Sequence, residues 1–223
     1  MLNFILAESA LELVPREIWK SPAVVSDSKR RGMDASEMLL DRSFHHSAMA
    51  RLKDSEKRGR PDLVHAALLS ATGTPFYSDG RVKVFVHTYP DVVLEVAEKT
   101  RIPKNYIRFR GLMEKILSER TAGELVTARP GGAVGLIQEV KPDLVLGLSV
   151  RGRMVGMEEV ATRLVEARNP CVVVGGFPHG HFSERLTAAL DDIVRIDAHP
   201  LEAHVVTARL IYEAEKASNR TKD

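Results

Sequence analysis

Apolar residues recur at i, i+3, i+4, i+7 and i+8 through Phe109, Leu112, Met113, Ile116 and Leu117, the stripe of a helix with one buried face. Pro103 suits the first turn of that helix, where its missing N–H costs nothing. At roughly 100° per residue, Lys104, Arg108 and Lys115 fall about opposite the stripe, and Arg101 stands just ahead of the helix. The result is a packed back and a cationic front. An ordinary solvated basic face has this pattern, and so does a rigid scaffold for groups that bind phosphate.

Residues 2–7 predict a first strand. Residues 21–38 are polar and charged, centred on Ser26-Asp-Ser-Lys-Arg-Arg-Gly32, and predict a long mobile loop. Residues 39–52 predict a helix, 53–60 a charged loop, and 61 to about 71 another helix. The β-rich runs 82–86 and 92–96, joined by a turn with Pro90 and Asp91, predict a hairpin or neighbouring strands. Beyond the cationic helix the rhythm becomes strand, turn, helix. Strands are expected at 125–128, 144–148, 171–174 and 193–196, alternating with helices at 132–140, 157–167 and 200–215. Such alternation predicts an α/β fold with a mostly parallel sheet flanked by helices. There is no internal repeat, and the tail from Ser218 is expected to fray.

Composition narrows the class. The chain has 223 residues, 44% hydrophobic and 28% charged, which is globular chemistry and enough length for a sizeable core. Its net charge is only +2 despite 32 Lys and Arg, so any nucleic-acid role must come from local clustering. The single cysteine, Cys171, excludes an internal disulfide or a cysteine zinc cluster and fits a reducing compartment. Preceding Val172-Val-Val174, it reads as a core residue and not as a nucleophile. The opening Met1-Leu-Asn-Phe-Ile-Leu-Ala7 lacks a basic flank and meets Glu8 too early for a signal peptide. No apolar run approaches the roughly 18 residues of a membrane span. A soluble, cytoplasmic protein with no membrane partner is the expectation.

Three strands of the C-terminal half end in glycine or turn chemistry: Val145-Leu-Gly-Leu-Ser-Val-Arg-Gly152, Val174-Gly-Gly-Phe-Pro-His-Gly180 and Ile196-Asp-Ala-His-Pro-Leu201. Ligands of open α/β sheets sit outside the carboxyl ends of strands. Gly175, Gly176 and Gly180 would let backbone approach a flat ligand closely, which points to a nucleotide-like molecule. Pro200 can start the final helix. Neither a G-x-G-x-x-G nor a G-x-x-x-x-G-K-[ST] is present, so the dinucleotide and P-loop readings lack their signatures. His45 with His46, and His179 with His181, lack zinc spacing and a completing carboxylate or cysteine. No metal is expected.

Together these segments resemble the small-subunit ribosomal RNA pseudouridine-N1-specific methyltransferases, a branch of the SPOUT (α/β-knot) class. The matching residues are Arg60-Pro-Asp-Leu-Val-His65, Val86-His-Thr88, Val93-Leu-Glu-Val96 and Arg101-Ile-Pro-Lys104. The match continues through Arg108-Phe109, Gly111-Leu-Met113, Gly175-Gly-Phe-Pro-His-Gly180, Ile196 and Pro200-Leu201. Asp41 to Met49, Asp-Arg-Ser-Phe-His-His-Ser-Ala-Met, is similar to the family's helix after a variable loop. The resemblance spans nearly the whole chain.

It implies a single domain over 1–223 with a family-specific N-terminal extension, RNA-binding residues mainly in 60–110, and a knotted cofactor-binding part at about 140–215 closed by a C-terminal trefoil knot. It implies a homodimer, with small-subunit ribosomal RNA and ribosomal or assembly proteins as partners. The run His204-Val-Val-Thr-Ala-Arg-Leu-Ile-Tyr212 is apolar on more than one face, as a helix shared with a partner or a buried helix of a monomer would be. The implied methyl donor is S-adenosyl-L-methionine, leaving S-adenosyl-L-homocysteine. Gly175, Gly176, Gly180, Arg195, Ile196, Asp197, Ala198, His199, Pro200 and Leu201 are the implied cofactor-binding positions.

Arg60, Asp62 and Arg101 are the implied catalytic group, and Arg60, Arg101, Lys104 and Arg108 the implied RNA-binding set. Fixed cations would stabilise the anion formed as pseudouridine N1 loses its proton. Asp62 would orient an arginine, although an acid in a first helical turn also simply suits the helix dipole. Two positions depart from the family: Lys104, where many relatives carry arginine, and Glu202, where relatives often have serine. An RNA-binding assembly factor in which catalysis is secondary is the alternative function.

Overall fold

In the computed structural model, which describes residues 1–119 and 124–220, β1 (Leu2–Ser9) is buried along nearly its whole length, as a strand covered on both faces must be. The chain continues through α1 (Pro22–Arg31), α2 (Arg42–Met49), α3 (Pro61–Thr72) and the short α4 (Pro75–Ser78). The hairpin β2 (Val82–Thr88) and β3 (Val92–Val96) follows, then α5 (Tyr106–Glu119), β4 (Val126–Pro130) and α6 (Ala133–Val140). The remainder is β5 (Leu144–Met154), α7 (Met157–Glu166), β6 (Pro170–Gly175), α8 (Glu184–Thr187), β7 (Asp192–Arg195) and α9 (Ala203–Arg220).

Among the described residues, seven strands form one sheet in the order β4-β3-β2-β1-β6-β5-β7. β2, β1, β6, β5 and β7 run parallel, while β3 and β4 add an antiparallel edge. β1 lies between β2 and β6 and so joins the two halves of the chain. Its side chains alternate as a pleated strand requires. Phe4 and Leu6 join the larger core with α3, α5, α7 and α9, and Ile5 and Ala7 join the opposite core with α6 and α8. Cys171 sits in that second core, where burial pushes its thiol up to about 12.

The polar stretch 21–38, expected to be a loop, is largely helical. Pro22 opens α1 at its first turn and Gly32, at φ 63°, closes it in the left-handed region. Hydrophobic periodicity misses this helix because its buried positions are Val24 and an aspartate, Asp27. Of the helix expected at 39–52, only α2 forms. Residues 38–40 are extended instead, with Val14 N–H donating to the Met38 carbonyl and Leu40 N–H to that of Glu12 (2.8 and 2.9 Å). Val14, Ile18, Val24, Met38, Leu40, Met49 and Leu52 form a small core of their own under this extension.

The cationic helix begins at Tyr106, so Pro103 does not start it. Its carbonyl is taken by His65 Nε2 at 2.7 Å, and Asn105 Oδ1 accepts from the Arg108 N–H at 3.2 Å as the cap. Likewise Pro200 lies ahead of α9, which opens at Ala203. The tail is helical through Arg220 and Ser218 is buried; the rest of the expected fraying, at 221–223, lies outside the described residues.

The extension is latched to α5 through buried charge. Arg31 donates to both oxygens of Glu114 at 2.7 and 2.6 Å, and Glu114 Oε1 also accepts from the Leu39 N–H at 3.0 Å. Their side chains are only 12% and 4% exposed, so loss of one partner strands the other charge. Arg31→Met should destabilise the fold by about 3 kcal/mol in urea titration, and an unchanged midpoint would mean that the latch contributes nothing.

Candidate active site

β6, β5 and β7 lie side by side, and the loops leaving their carboxyl ends enclose a cleft of about 560 Å³. This is where an open α/β sheet places a ligand. Gly175, Gly180, Arg195, Ile196, Asp197, His199, Pro200 and Leu201 line it, with Leu148 to Val150 of β5 opposite. Gly175 lets the Phe177 ring pack against the end of β6, because a Cβ there would lie 2.8 Å from that ring. Gly180 has φ 99°, a conformation that favours glycine. Asp197 holds the turn into α9 by accepting from the His199 N–H and from Arg209, each at 3.0 Å, and these bonds hold its carboxyl below the usual range.

Two of the expected cofactor positions stand outside the lining. Ala198 is exposed to solvent. Gly176 is a joint of the sheet: its N–H donates to the Ala7 carbonyl and its carbonyl accepts from Ala10, both at 2.8 Å. A Cβ at Gly176 would sit 2.1 Å from Ser9 Oγ. Its backbone is thus committed to β1 and the turn after it, with nothing left for a ligand.

The cleft walls hold two orphaned groups. His181 Nδ1 and Arg195 Nε are buried without a hydrogen-bond partner among the described residues. Such groups cost free energy that the polar atoms of a bound molecule would offset. Burial, followed by the charges of Arg151 and Lys57, pushes the His181 imidazole below its ordinary value, which keeps it neutral at neutral pH.

Arg60 reaches the same cleft from the N-terminal half. It caps α3, with its N–H on the Ala10 carbonyl at 3.1 Å, and its Nε and Nη2 meet Asp62 Oδ1 and Oδ2 at 2.8 Å each. The bond to Asp62 raises the Arg60 pKa. Burial opposes charge on Asp62, but the hydrogen bonds and charge of Arg60 outweigh it and hold the carboxyl low. Asp62 thus orients an arginine while also standing in the first turn of α3.

The other predicted cations gather at the neighbouring helix. The bond from His65 to Pro103 and the stacking of His65 on Phe109 (4.4 Å, 19°) pin the start of α5 and its leading segment to α3. Arg101, Lys104 and Arg108 are exposed there, and no side-chain hydrogen bond or ion pair engages them among the described residues. Sequence reading missed Tyr106 and Asp41 beside them. Tyr106 Oη donates to Asp41 Oδ2 at 2.6 Å; burial and then this bond push the phenol well above its usual value. The signal was a polar stripe, Tyr106, Arg110 and Glu114, at i, i+4 and i+8 on the side of α5 that faces the extension. His45 is buried, its Nδ1 accepting from the Asp41 N–H at 3.1 Å, while His46 is exposed.

The model of the EMG1/NEP1 methyltransferase family matches residues 4–215. The chain belongs to the EMG1/NEP1 methyltransferase family. Among EMG1/NEP1 proteins, the ribosomal RNA small subunit methyltransferase Nep1 of Staphylothermus marinus is 39% identical over 223 residues, covering 98% of this chain and 96% of its own. That of Pyrobaculum neutrophilum is 41% identical over 219 residues, covering 96% and 97%. The crystal structure of Archaeoglobus fulgidus Nep1 bound to S-adenosylhomocysteine is similar at a TM-score of 0.85 and 36% identity, covering 97% of this chain and 98% of that one. The mostly parallel α/β architecture expected from the sequence is thus shared along almost the whole chain.

The adjacent glycines Gly175 and Gly176 have different tasks: Gly175 lines the cleft, and Gly176 joins the sheet to the chain after β1. Gly176→Ala should destabilise the fold by about 2 kcal/mol through overpacking against Ser9 and Leu6. Urea denaturation checks this, and a loss under about 0.5 kcal/mol, the scale of a neutral surface change, would contradict the close approach.

Proposed function

We propose that this protein is an S-adenosylmethionine-dependent methyltransferase that methylates N1 of a pseudouridine in small-subunit ribosomal RNA, as a step of ribosome biogenesis. The observation that carries this reading is that Arg60 lines the same cleft as Gly175, Gly180 and the 195–201 turn. One cavity thereby joins a nucleotide-sized ligand site to a fixed guanidinium. Family membership and the S-adenosylhomocysteine bound to the Archaeoglobus relative support the identity of that ligand.

The methyl donor supplies a sulfonium carbon to the acceptor nitrogen and leaves as the neutral thioether. The chain's residues would do the rest. Gly175 and Gly180 line the space for the adenosyl part, Ile196 and Leu201 offer apolar faces to the base, and the orphaned His181 and Arg195 atoms offer polar contacts. As N1 of the flipped-out base gives up its proton to solvent water, negative charge spreads over the ring. Arg60, held by Asp62 before substrate arrives, stabilises that charge without having to reorganise. Arg101, beside Lys104 and Arg108, completes the cationic set that grips the RNA backbone.

A homodimer belongs to the same reading. Tyr212 on α9 and Val150 and Met154 on β5 are 62%, 44% and 47% exposed, apolar surface that a second copy would cover. No helix among the described residues is long and apolar enough to cross a membrane, and we place the protein in the cytoplasm with its ribosomal substrate.

Mass spectrometry of two matched hairpins, one with pseudouridine and one with uridine at the target, tests the chemistry. With S-adenosylmethionine, a one-methyl gain is expected only on the pseudouridine hairpin. No gain on either, despite tight binding, would favour an RNA-binding assembly factor. Arg108→Ala should lower the slope of log K against log salt by roughly 0.7 for a single-stranded contact, and an unchanged slope would remove Arg108 from the RNA interface.

A further inference from the structure

Among the described residues, no backbone-to-backbone hydrogen bond engages residues 177–182, the loop between β6 and α8 that forms one wall of the cleft. Side chains from the far end of the sequence hold this loop instead. Lys57 Nζ donates to the His181 carbonyl and, at 3.2 Å, to Glu8 Oε2, and it stands 4.7 Å from the centroid of the Phe177 ring. Its Cε lies 2.8 Å from where a Cβ on Gly180 would be. Glu8 takes hold of the loop's other end, accepting from the Ser183 N–H at 2.9 and 3.2 Å.

Glu8 is itself placed at a cost. Its φ is 50°, a left-handed conformation that a glutamate adopts only when its surroundings over-determine it. The Glu8 N–H donates to His87 Nδ1 at 3.1 Å, and His87 Nε2, which therefore carries the proton, is 2.9 Å from Asp91 Oδ1. β2 thus fixes Glu8, Glu8 fixes Lys57 and Ser183, and the two together shape the loop. The Lys57 and Glu8 side chains are only 17% and 13% exposed, so their hydrogen bonds are charge-assisted and poorly screened.

We propose that Lys57 and Glu8 are positioning residues for the cofactor: from behind the cleft wall they hold the 177–183 loop in its receiving shape, without touching the ligand. This rests on the reading of the cleft as the S-adenosylmethionine site. The segment that carries Lys57 also carries Arg60 three residues later, so one short stretch of chain sets the cofactor loop on one side and the catalytic guanidinium on the other.

The test is calorimetric binding of S-adenosylhomocysteine to the full chain, together with steady-state methylation. Lys57→Met keeps an unbranched apolar stem behind Gly180 and Phe177 and deletes the ammonium. It should weaken S-adenosylhomocysteine binding by about tenfold, the scale of one lost charge-assisted hydrogen bond, with a thermal midpoint within about 4 °C of the unaltered protein's. The KM for S-adenosylmethionine should rise in proportion while kcat at saturation changes by less than about twofold, the pattern of lost uniform binding. Lys57→Arg should recover most of the affinity. Glu8→Gln, which retains an acceptor for Ser183, should weaken binding by about threefold, and it decides the matter if Lys57→Met fails to fold. Unchanged affinity in the folded variants would overturn the proposal while leaving the cofactor reading intact. Failure of the unaltered protein to bind S-adenosylhomocysteine would overturn both.

Discussion

The buried pair between Arg58 and Glu12 is the interaction on which the site depends. Arg58 Nε and Nη2 meet the two oxygens of Glu12 at 2.7 and 2.6 Å, with side chains 9% and 4% exposed, and the guanidinium lies 4.5 Å from the Tyr89 ring centroid. Two desolvated charges cannot drift apart without one being left uncompensated. Residue 58 is therefore pinned beside the chain that leaves β1. Its neighbours inherit that precision: Lys57 is directed behind the 177–182 loop, and Arg60 emerges into the cleft. Gly59, at φ 69°, makes the turn between them, and a Cβ there would lie 2.7 Å from Met49 Cε. What looks along the chain like a charged surface loop is an anchored strap.

The same logic explains which parts of the fold were legible in the sequence. The inner strands were, because a strand covered on both faces is a run of apolar residues, as in Cys171-Val-Val-Val174. The basic helix was legible as well: Phe109, Met113, Ile116 and Leu117 are buried, and Leu112 packs at the margin. α1 was not. Its inward face presents Asp27, ion-paired with Arg30, and Arg31, ion-paired with Glu114, polar contacts that hydrophobic periodicity cannot register. Proline was an uneven guide to helix starts: Pro61 opens α3 as expected, but Pro103 and Pro200 lie ahead of α5 and α9. Its fixed φ permits a first turn but does not demand one, and the Pro103 carbonyl is committed to His65.

For the site, the sequence shows what each strand end offers but not what stands behind it. Of the glycines after strands, Gly175 and Gly180 line the cleft. Gly176 obeys the same local rule and serves the opposite face, because close approach to Ser9 and close approach to a ligand need the same missing side chain. Lys57 and His181 are 124 positions apart, and Asp41 and Tyr106 are 65 apart. Contacts at such separations leave no periodic trace. They become visible only when the sheet order places β1 between β2 and β6 and joins the two halves of the chain at the middle of the sheet.

The Arg60–Asp62 pair closes the physical account. Its side chains are 36% and 52% exposed, and ion pairs in that environment contribute between about zero and 1 kcal/mol to stability. Stability therefore gives little reason for its two aligned bonds. Orientation gives a better one. A guanidinium has five N–H donors in a rigid fork, and Asp62 engages it through Nε and Nη2, leaving Nη1 free to face an acceptor. The carboxylate fixes the plane of the fork and tempers its charge while engaging only two of its donors. A guanidinium held in this way is weakly neutralised before substrate arrives and needs no rotation afterwards, which is the condition for stabilising an anion as it forms.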